Sequence, residues 1–445
     1  MSNGQGTIPY RRRTLYAPKT TLCLALLAAI PGTCGAFDVD YEISLAAMRS
    51  DNISLSEDNE VSEDVLVPRI RFDVVQEGSA VKLQAHGDIE RREYLDDTFP
   101  GEWRGEFAGQ VNWAIFPERM NLVLEDYLSN QPINLRVGLS PGNLQQVNVF
   151  LGGPSFHARF NEVTRAQLDL RVANSYAEVT EDFNGDRYSA AARLQRELSS
   201  TQQASLNLVA TKAEFDDPGQ ASDYSRQDGF IGYRREQADG NLELELGRSW
   251  LRPKDGGSTV SSTLARAGIT WQATARSRFS AHARYQLADT AQDMIIRQGD
   301  LTESIIPELA LSTLQVNPDV YRQRRFQVDY RYSGDRLSMR LRPRYRSYRY
   351  LDTTINDRDD RSGYFELGYR VRPKLTLSLQ ATALNREFVT TQRKDQDRVY
   401  GLECEYRWTR HLSWQAGIYR NTRDSSEVDS RYKENAARFT VTWRR

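Results

Sequence analysis

Apolar and polar side chains alternate along most of this chain, most regularly between residues 321 and 443. From Leu337 to Arg346, apolar residues occupy every second position and four arginines lie between them. Successive side chains of a β-strand point to opposite faces, whereas the 3.6-residue period of a helix would scatter these arginines. The pattern predicts strands with one apolar and one polar face, as in a transmembrane barrel with lipid outside and water inside.

The same alternation recurs along the rest of the chain and predicts an all-β protein. Bacterial barrels of this type have an even number of strands, so we predict a single antiparallel transmembrane β-barrel of about 18–20 strands over residues 37–445. Short turns containing Gly, Pro, Asn or Asp alternate with longer polar connections, which is typical of short periplasmic turns and longer extracellular loops. The predicted strands are 38–50, 64–75, 79–94, 104–116, 119–128, 145–160, 165–180, 187–197, 202–214, 224–236, 240–251, 259–273, 276–289, 321–333, 336–350, 361–373, 375–389, 396–408, 411–423 and 432–443.

Residues 1–36 have the pattern of a signal peptide. Arg11, Arg12, Arg13 and Lys19 precede a short apolar stretch, and small residues follow up to Ala36, where we expect cleavage. The alternatives are a short membrane anchor and a lipoprotein modified at Cys34. The apolar stretch is shorter than the ~20 residues that a transmembrane helix needs, which argues against the anchor.

Composition and charge adjust this picture only slightly. The mean hydropathy of −0.64 would suit a soluble protein, but in a transmembrane barrel only every second residue meets lipid. The 22 Tyr and 7 Trp suit aromatic girdles at the two membrane interfaces. A net charge of −1 and the lack of nucleotide-binding or zinc-finger motifs give no support to a nucleic-acid partner.

Charged residues on the predicted inner faces are the candidate functional residues. Guanidinium groups in a pore favour anions and bind carboxylate or phosphate in a fork geometry. Neighbouring acids would instead make a solvated wall braced by ion pairs, and the sequence is compatible with both interpretations. The predicted interior-lining residues are Arg325, Arg331, Arg340, Arg342, Arg344, Arg346, Glu366, Glu403, Glu405, Glu243 and Glu245.

The longest connection, residues 290–320, contains the apolar runs 294–296 and 305–311. A connection of this length is usually functional or folded in its own right. We expect it either to enter the mouth of the barrel as a plug or lid, or to pack on the rim.

Catalysis and metal binding find little support in the sequence. His86, His157 and His282 fall on predicted inner faces, but no Ser or Asp partner stands at a recognisable spacing. The acidic stretches 57–60 and 356–360 lack the ligand spacing and Gly of a calcium-binding EF-hand loop. We therefore expect no catalytic site, no metal and no cofactor.

The last strand ends in alternating apolar residues, Phe439, Val441 and Trp443, followed by two arginines. Such an ending is similar to the signal that the barrel assembly machinery of the outer membrane reads. The expected surroundings are the outer-membrane lipid and lipopolysaccharide of a Gram-negative bacterium.

Five segments of the chain share a recognisable pattern: 145–150, 153–156, 159–160, 190–193 and the hairpin 225–247. They resemble a family of outer-membrane β-barrel proteins associated with exosortase (PEP-CTERM) and exopolysaccharide gene clusters. The resemblance covers nearly the whole mature chain and implies a role beside exopolysaccharide production or export, with exopolysaccharide and its export proteins as partners. It implies no particular catalytic or ligand residue.

Three functions follow as hypotheses. The first is a channel that assists polysaccharide passage, because a barrel of this strand number encloses a wide lumen unless it is plugged. The second is a surface scaffold or receptor whose interior is closed by Arg–Glu pairs. The third is an uptake porin for small anions.

Overall fold

The fold is a closed antiparallel barrel of twenty strands. The computed structural model describes residues 37–217, 222–254, 256–298 and 315–445. Each strand pairs with its neighbours in the chain, and the first also pairs with the last, which closes the ring. The strands, numbered β1 to β20 in chain order, are Asp38–Ser50, Glu63–Glu77, Val81–Tyr94, Glu102–Phe116, Met120–Pro132, Leu144–Arg159, Thr164–Ala177, Gly185–Ser199, Gln202–Phe215, Tyr224–Gln237, Gly240–Pro253, Val260–Thr274, Ser277–Ala288, Tyr321–Ser333, Leu337–Tyr350, Arg358–Arg372, Leu375–Phe388, Lys394–Arg407, Leu412–Ser425 and Tyr432–Arg444.

The prediction of a single all-β antiparallel barrel is confirmed, and each predicted strand corresponds to an observed one with ends shifted by a few residues. Turns such as 238–239 and 275–276 join the strands at one end, which we call the short-turn end. Connections such as 51–62, 133–143 and 289–320 lie at the opposite, long-loop end. The predicted signal peptide, residues 1–36, lies outside the described residues.

Large apolar side chains cover the outside of the barrel. Ile231, Leu246 and Ile418 are among the most exposed of them, and inward-facing residues such as Glu245 and Tyr419 lie next to them along the strands. Cys404 lies between the same kind of neighbours, next to Leu402 on the outer face. An apolar exterior around a hydrogen-bonded ring without free edges is the arrangement that lipid requires.

The described helical structure is short. One α-helix, α1 (Thr290–Gln298), follows β13, and single 3₁₀ turns interrupt three of the long connections. Within the described ranges, no helix combines the length and the apolar character needed to cross a bilayer.

A charge on the outer face is expected to destabilise the barrel. Leu246 on β11 is 59% exposed on that face. We expect Leu246→Arg to lower the free energy of unfolding by about 2–4 kcal/mol at mid-membrane depth, because the guanidinium must leave water. Urea unfolding in liposomes measures the loss, with Leu246→Ile as the control. An unchanged unfolding midpoint for Leu246→Arg would mean that this face does not meet lipid.

Candidate functional site

The predicted arginines on β14 and β15 lie on the inner face, opposite the exposed outer residues Phe326 and Leu341. The structure places them beside further inward-facing arginines on β12 and β13, which the sequence reading did not single out. Together these four strands carry nine inner-face arginines and one inner-face acid, Asp329. We call this set the arginine sector: Arg266, Arg278, Arg284, Arg325, Arg331, Arg340, Arg342, Arg344 and Arg346.

The strand register aligns four of these arginines in one row across the wall. Arg266 pairs with Arg284, and Arg284 with Arg325. Arg325 then pairs with Arg346. Acids stand only at the two ends of this upper row, where Glu245 pairs with Arg266 and Asp360 with Arg346. Like charges directly opposite each other destabilise a sheet unless other groups compensate them.

Glutamines satisfy part of the hydrogen bonding of the arginine sector. Arg266 donates to Gln286 at 2.6 Å, and both Arg325 and Arg344 donate to Gln327 at 2.9 Å. A neutral amide orients a guanidinium but leaves its positive charge in place. These bonds therefore hold Arg266, Arg325 and Arg344 in fixed orientations on the wall.

A lower row lies nearer the short-turn end. Arg278 pairs with Arg331, Arg331 with Arg340, and Arg340 with the acid Glu366. Asp329 accepts hydrogen bonds from Arg331 at 2.9 Å, Arg340 at 2.7 Å and Arg342 at 2.8 Å. One buried carboxylate thus holds three guanidinium groups together.

The other predicted acids are distributed around the wall. Glu245 pairs with Arg266 at 2.9 Å and so belongs to the end of the upper row. Glu243 pairs with Arg234 near the short-turn end, at 2.8 Å. Glu366 accepts a hydrogen bond from Tyr364 at 2.8 Å.

The two predicted acids on β18 lie away from the arginine sector. Glu403 accepts hydrogen bonds from Gln415 at 2.7 Å and from the Tyr419 hydroxyl at 2.5 Å. Glu405 pairs with Arg407 at 3.1 Å. Both acids of β18 thus have hydrogen-bonding or ion-pair partners on their own part of the wall.

Helix α1 enters the barrel from the end of β13. Asp289 caps it by accepting the Gln292 amide at 2.9 Å, and Asp293 accepts Tyr321 at 2.8 Å and Gln323 at 2.6 Å. These bonds fix the first turn of the helix to the wall.

Apolar contacts hold α1 against the far side of the interior. Its Ala291 and Met294 are buried among Val147 and Val149 of β6, with Phe183 beside them. The part of segment 290–320 that the structure describes around α1 thus lies inside the mouth. Residues 299–314 lie outside the described residues, so the predicted plug or lid stays a prediction.

A second segment crosses the mouth, and sequence reading treated it as an ordinary loop. We call residues 133–143, between β5 and β6, the crossing loop. Asn143 ties it together by donating to the carbonyls of Asn134 at 2.8 Å and Gly138 at 2.9 Å. Leu135 is only 2% exposed, which is unusual for a residue in a connection.

The crossing loop is anchored on strands far around the ring from β5 and β6. Arg386 of β17 donates to the Leu135 carbonyl at 2.8 Å, and Arg393 donates to the Arg136 carbonyl. The Arg136 guanidinium lies 4.6 Å from the ring centre of Phe388 and donates to the Ile355 carbonyl at 2.8 Å. The loop therefore links opposite parts of the wall at the long-loop end.

Buried ion pairs surround these anchors. Arg423 binds Asp397 at 2.5 Å, and Arg393 binds Asp395 at 2.9 Å. Arg386 lies 3.3 Å from Asp360, which also faces Arg358. All of these side chains are nearly inaccessible to solvent. At this end the interior is packed and braced by ion pairs.

The acidic side chains near α1 make the long-loop end sensitive to pH. Burial, and after it the negative charges of Asp352 and Asp182, raises the pKa of Asp319 from 3.8 to about 6. A carboxyl whose pKa is raised by folding stabilises the fold when it is protonated, and this contribution is lost as pH rises through the folded pKa.

We therefore expect segment 315–320 to be better protected at about pH 5 than at about pH 7.5. Hydrogen exchange of its backbone amides measures this difference. Asp319→Asn should abolish the difference and keep the protected state at both pH values. Equal protection of the unaltered protein at both values would contradict the role of Asp319.

In the described part of the chain, metal-binding side chains, including the histidines, do not cluster. No group of three or more His, Cys, Asp or Glu side chains there is placed to hold a metal ion. His86, one of the three inward histidines, binds Asp73 at 2.6 Å in a partly exposed pair.

An apolar exterior, a charged interior and a mouth crossed by two segments define a transmembrane β-barrel with a partly occluded interior. No family model and no curated protein matches the sequence.

Solved structures with a similar strand arrangement include a mutant of the ferric enterobactin receptor PfeA from Pseudomonas aeruginosa, with a TM-score of 0.47, 11% identity, and 92% of this chain and 80% of that chain covered. The FrpB iron transporter from Neisseria meningitidis has a TM-score of 0.44 and 7% identity, with 95% of this chain and 83% of that chain covered. The siderophore receptor PirA from Pseudomonas aeruginosa has a TM-score of 0.44 and 10% identity, with 92% of this chain and 81% of that chain covered. Neither a family nor a ligand follows from similarities of this size.

Proposed function

We propose that this protein is a channel of the Gram-negative outer membrane that assists the passage of an exopolysaccharide. The observation that carries the proposal is the twenty-stranded ring with a polar, hydrogen-bonding interior, which two of the described segments enter at the long-loop end. Barrels of 16–18 strands leave an aqueous channel and barrels of 22 strands hold a plugged lumen, so twenty strands leave room for both a path and a closing element.

The interior chemistry suits a polyhydroxylated chain. Tyrosine hydroxyls, glutamine amides, carboxylates and guanidinium groups line the wall and can exchange hydrogen bonds with sugar hydroxyls. The resemblance to barrels associated with exopolysaccharide gene clusters supports the same substrate. We further propose that lipopolysaccharide surrounds the barrel, that the barrel assembly machinery inserts it, and that polysaccharide export proteins are its partners.

A second candidate is a non-conducting scaffold or receptor. The observation that favours it is the set of buried ion pairs at the long-loop end, which would brace a permanently closed barrel. In that case the long connections, rather than the interior, would carry the binding function.

Size-dependent release from proteoliposomes separates these candidates. Purified full-length protein is reconstituted into liposomes loaded with fluorescent dextrans of graded size. A channel releases the smaller dextrans and retains the larger ones, and the same protein gives stable conductance in a planar bilayer. Retention of every size, with no conductance in either the unaltered protein or a variant with a shortened crossing loop, would overturn the channel and leave the scaffold.

A further inference from the structure

A groove crosses the outer face of the barrel from β2 through β1, β20, β19 and β18 to β17. Its volume is about 690 Å³, within the size range of clefts that hold a small ligand. The small residues Ala47, Ala416 and Cys404 lie along it, in one row of cross-strand partners that also contains Phe439 and ends at Leu377. Large apolar side chains cover most of the outer face, so these small ones leave a depression.

The groove is long enough for one lipid chain. Leu66 of β2 and Leu377 of β17 line its two ends, five strand spacings or about 24 Å apart. Leu66 lies near the long-loop end and Leu377 near the short-turn end, so the groove runs obliquely across the membrane. One leaflet contributes about half of the ~30 Å hydrocarbon core, and an acyl chain of that leaflet fits along the groove.

The charges at the two ends of the groove differ. At the β2 end, Arg49 is paired with Asp64 at 2.9 Å, so the charges that line this end cancel. At the β17 end, the exposed Lys374 and Arg410 occupy two neighbouring turns that contain no acid. Among the residues that the structure describes, no carboxylate pairs with either of them. The groove therefore has a neutral end and a basic end.

The basic end lies where lipid chains meet head groups. Lys374 donates to the Trp408 carbonyl at 3.0 Å and accepts the Arg407 amide at 2.9 Å, so the two turns lie side by side. The Trp408 side chain is 63% exposed. Exposed Trp is typical of the membrane interface, and Lys and Arg there attract anionic head groups. Other turns at this end do carry acids, such as Glu118 and Asp239.

We propose that the groove holds an acyl chain of one anionic phospholipid from the leaflet at the short-turn end, with its phosphate bound by Lys374 and Arg410. Leu377, at the end of the groove, is three residues from Lys374 along the chain, so one lipid reaches both features. The groove walls give the chain van der Waals contacts on several sides, and the ammonium and guanidinium groups donate to the phosphate. The site does not depend on whether the barrel conducts.

The test is native mass spectrometry of the purified full-length protein in detergent. The probes are phosphatidylglycerol, phosphatidylcholine with the same acyl chains, and lipid A, each titrated separately. We expect one molecule of phosphatidylglycerol to bind about tenfold more tightly than phosphatidylcholine, because only its head group carries a net negative charge.

Two variants test the two parts of the site. Lys374→Gln with Arg410→Gln should lower the affinity for phosphatidylglycerol about tenfold, to the level of phosphatidylcholine. Its matched control, Arg119→Gln with Arg235→Gln, removes the same charge from exposed positions at the short-turn end away from the groove and should change nothing.

Ala416→Phe fills the groove without changing charge and should weaken the binding of both phospholipids. Its matched control is Ala192→Phe on the outer face of β8, which should leave binding unchanged. Both substitutions keep the outer face apolar, so the barrel should fold.

Several results would overturn this lipid site. Equal affinity for phosphatidylglycerol and phosphatidylcholine would remove the head-group contact, and equal losses in variants and controls would show non-specific binding. Tighter binding of lipid A that is lost in Arg49→Gln would place the lipid at the opposite end. A dimer mass that disappears in Ala416→Phe would assign the groove to a second copy of the chain. Dextran release tests the channel separately from all of these.

Discussion

Replacing residues 134–142 with a short Gly-Ser turn is expected to raise the conductance of the partly occluded barrel strongly. The crossing loop is held across the mouth by carbonyl groups of its own backbone, bound to Arg386 and Arg393 on the far side. Removing it takes away the buried Leu135 and the Arg136 contacts with Phe388 and Ile355. We expect conductance in a planar bilayer to rise by about an order of magnitude, because the lumen of a barrel this size is wide.

The control is an equally short replacement of the connection 426–431, which lies at the same end and crosses nothing in the structure. It should leave conductance at the level of the unaltered protein. A finer test uses Arg386→Gln with Arg393→Gln, which loosens the anchors while keeping the loop and should produce brief openings. A shortened crossing loop that conducts no more than the unaltered protein would show that other parts of the chain close the mouth.

Asp329→Leu is expected to be the most destabilising single substitution on the inner wall. The carboxylate is 8% exposed and accepts hydrogen bonds from three arginines. Its removal leaves three guanidinium groups close together without the charge that holds them. Breaking a buried ion pair on one side costs about 3–5 kcal/mol, and we expect a loss of that size in the free energy of unfolding.

Urea unfolding in liposomes measures this loss as a shift in midpoint at constant slope. The matched control is Asp335→Asn, whose carboxylate is 84% exposed and pairs with Arg276 on a turn; surface changes of this kind stay within about 0.5 kcal/mol. Adding Arg340→Leu and Arg342→Leu to Asp329→Leu should restore part of the stability, since two of the three guanidinium groups around position 329 are then gone. Equal midpoints for Asp329→Leu and Asp335→Asn would contradict the clustering of charge around Asp329.

The alternation of side chains was enough to predict the barrel, because successive residues of each strand face two different environments, lipid outside and water inside. Leu341 and Arg342 show how local this information is, since adjacent residues face lipid and lumen. Strand ends such as Arg358 were harder to predict, because inside the mouth the polar face continues into buried contacts instead of ending in a solvated loop.

The relation between arginines on different strands could not be read from the sequence. Arg284 and Arg325 are direct partners only because the long connection 289–320 returns the chain in one particular register. The crossing loop was missed for a similar reason. Its anchors bind backbone carbonyls of Leu135 and Arg136, which carry no signature of residue type, and they lie about 250 residues further along the chain.

Because β1 pairs with β20, the first and last strands have no free edge. Nine residues of β1 face nine of β20, and the Arg445 amide donates to the Tyr41 carbonyl at 3.1 Å, so the two ends of the folded barrel lie side by side. A covalent link there, with new ends opened in another turn such as 238–239, would leave every neighbour in the ring unchanged. The barrel is therefore suited to circular permutation, and the strand that completes it could be chosen at will.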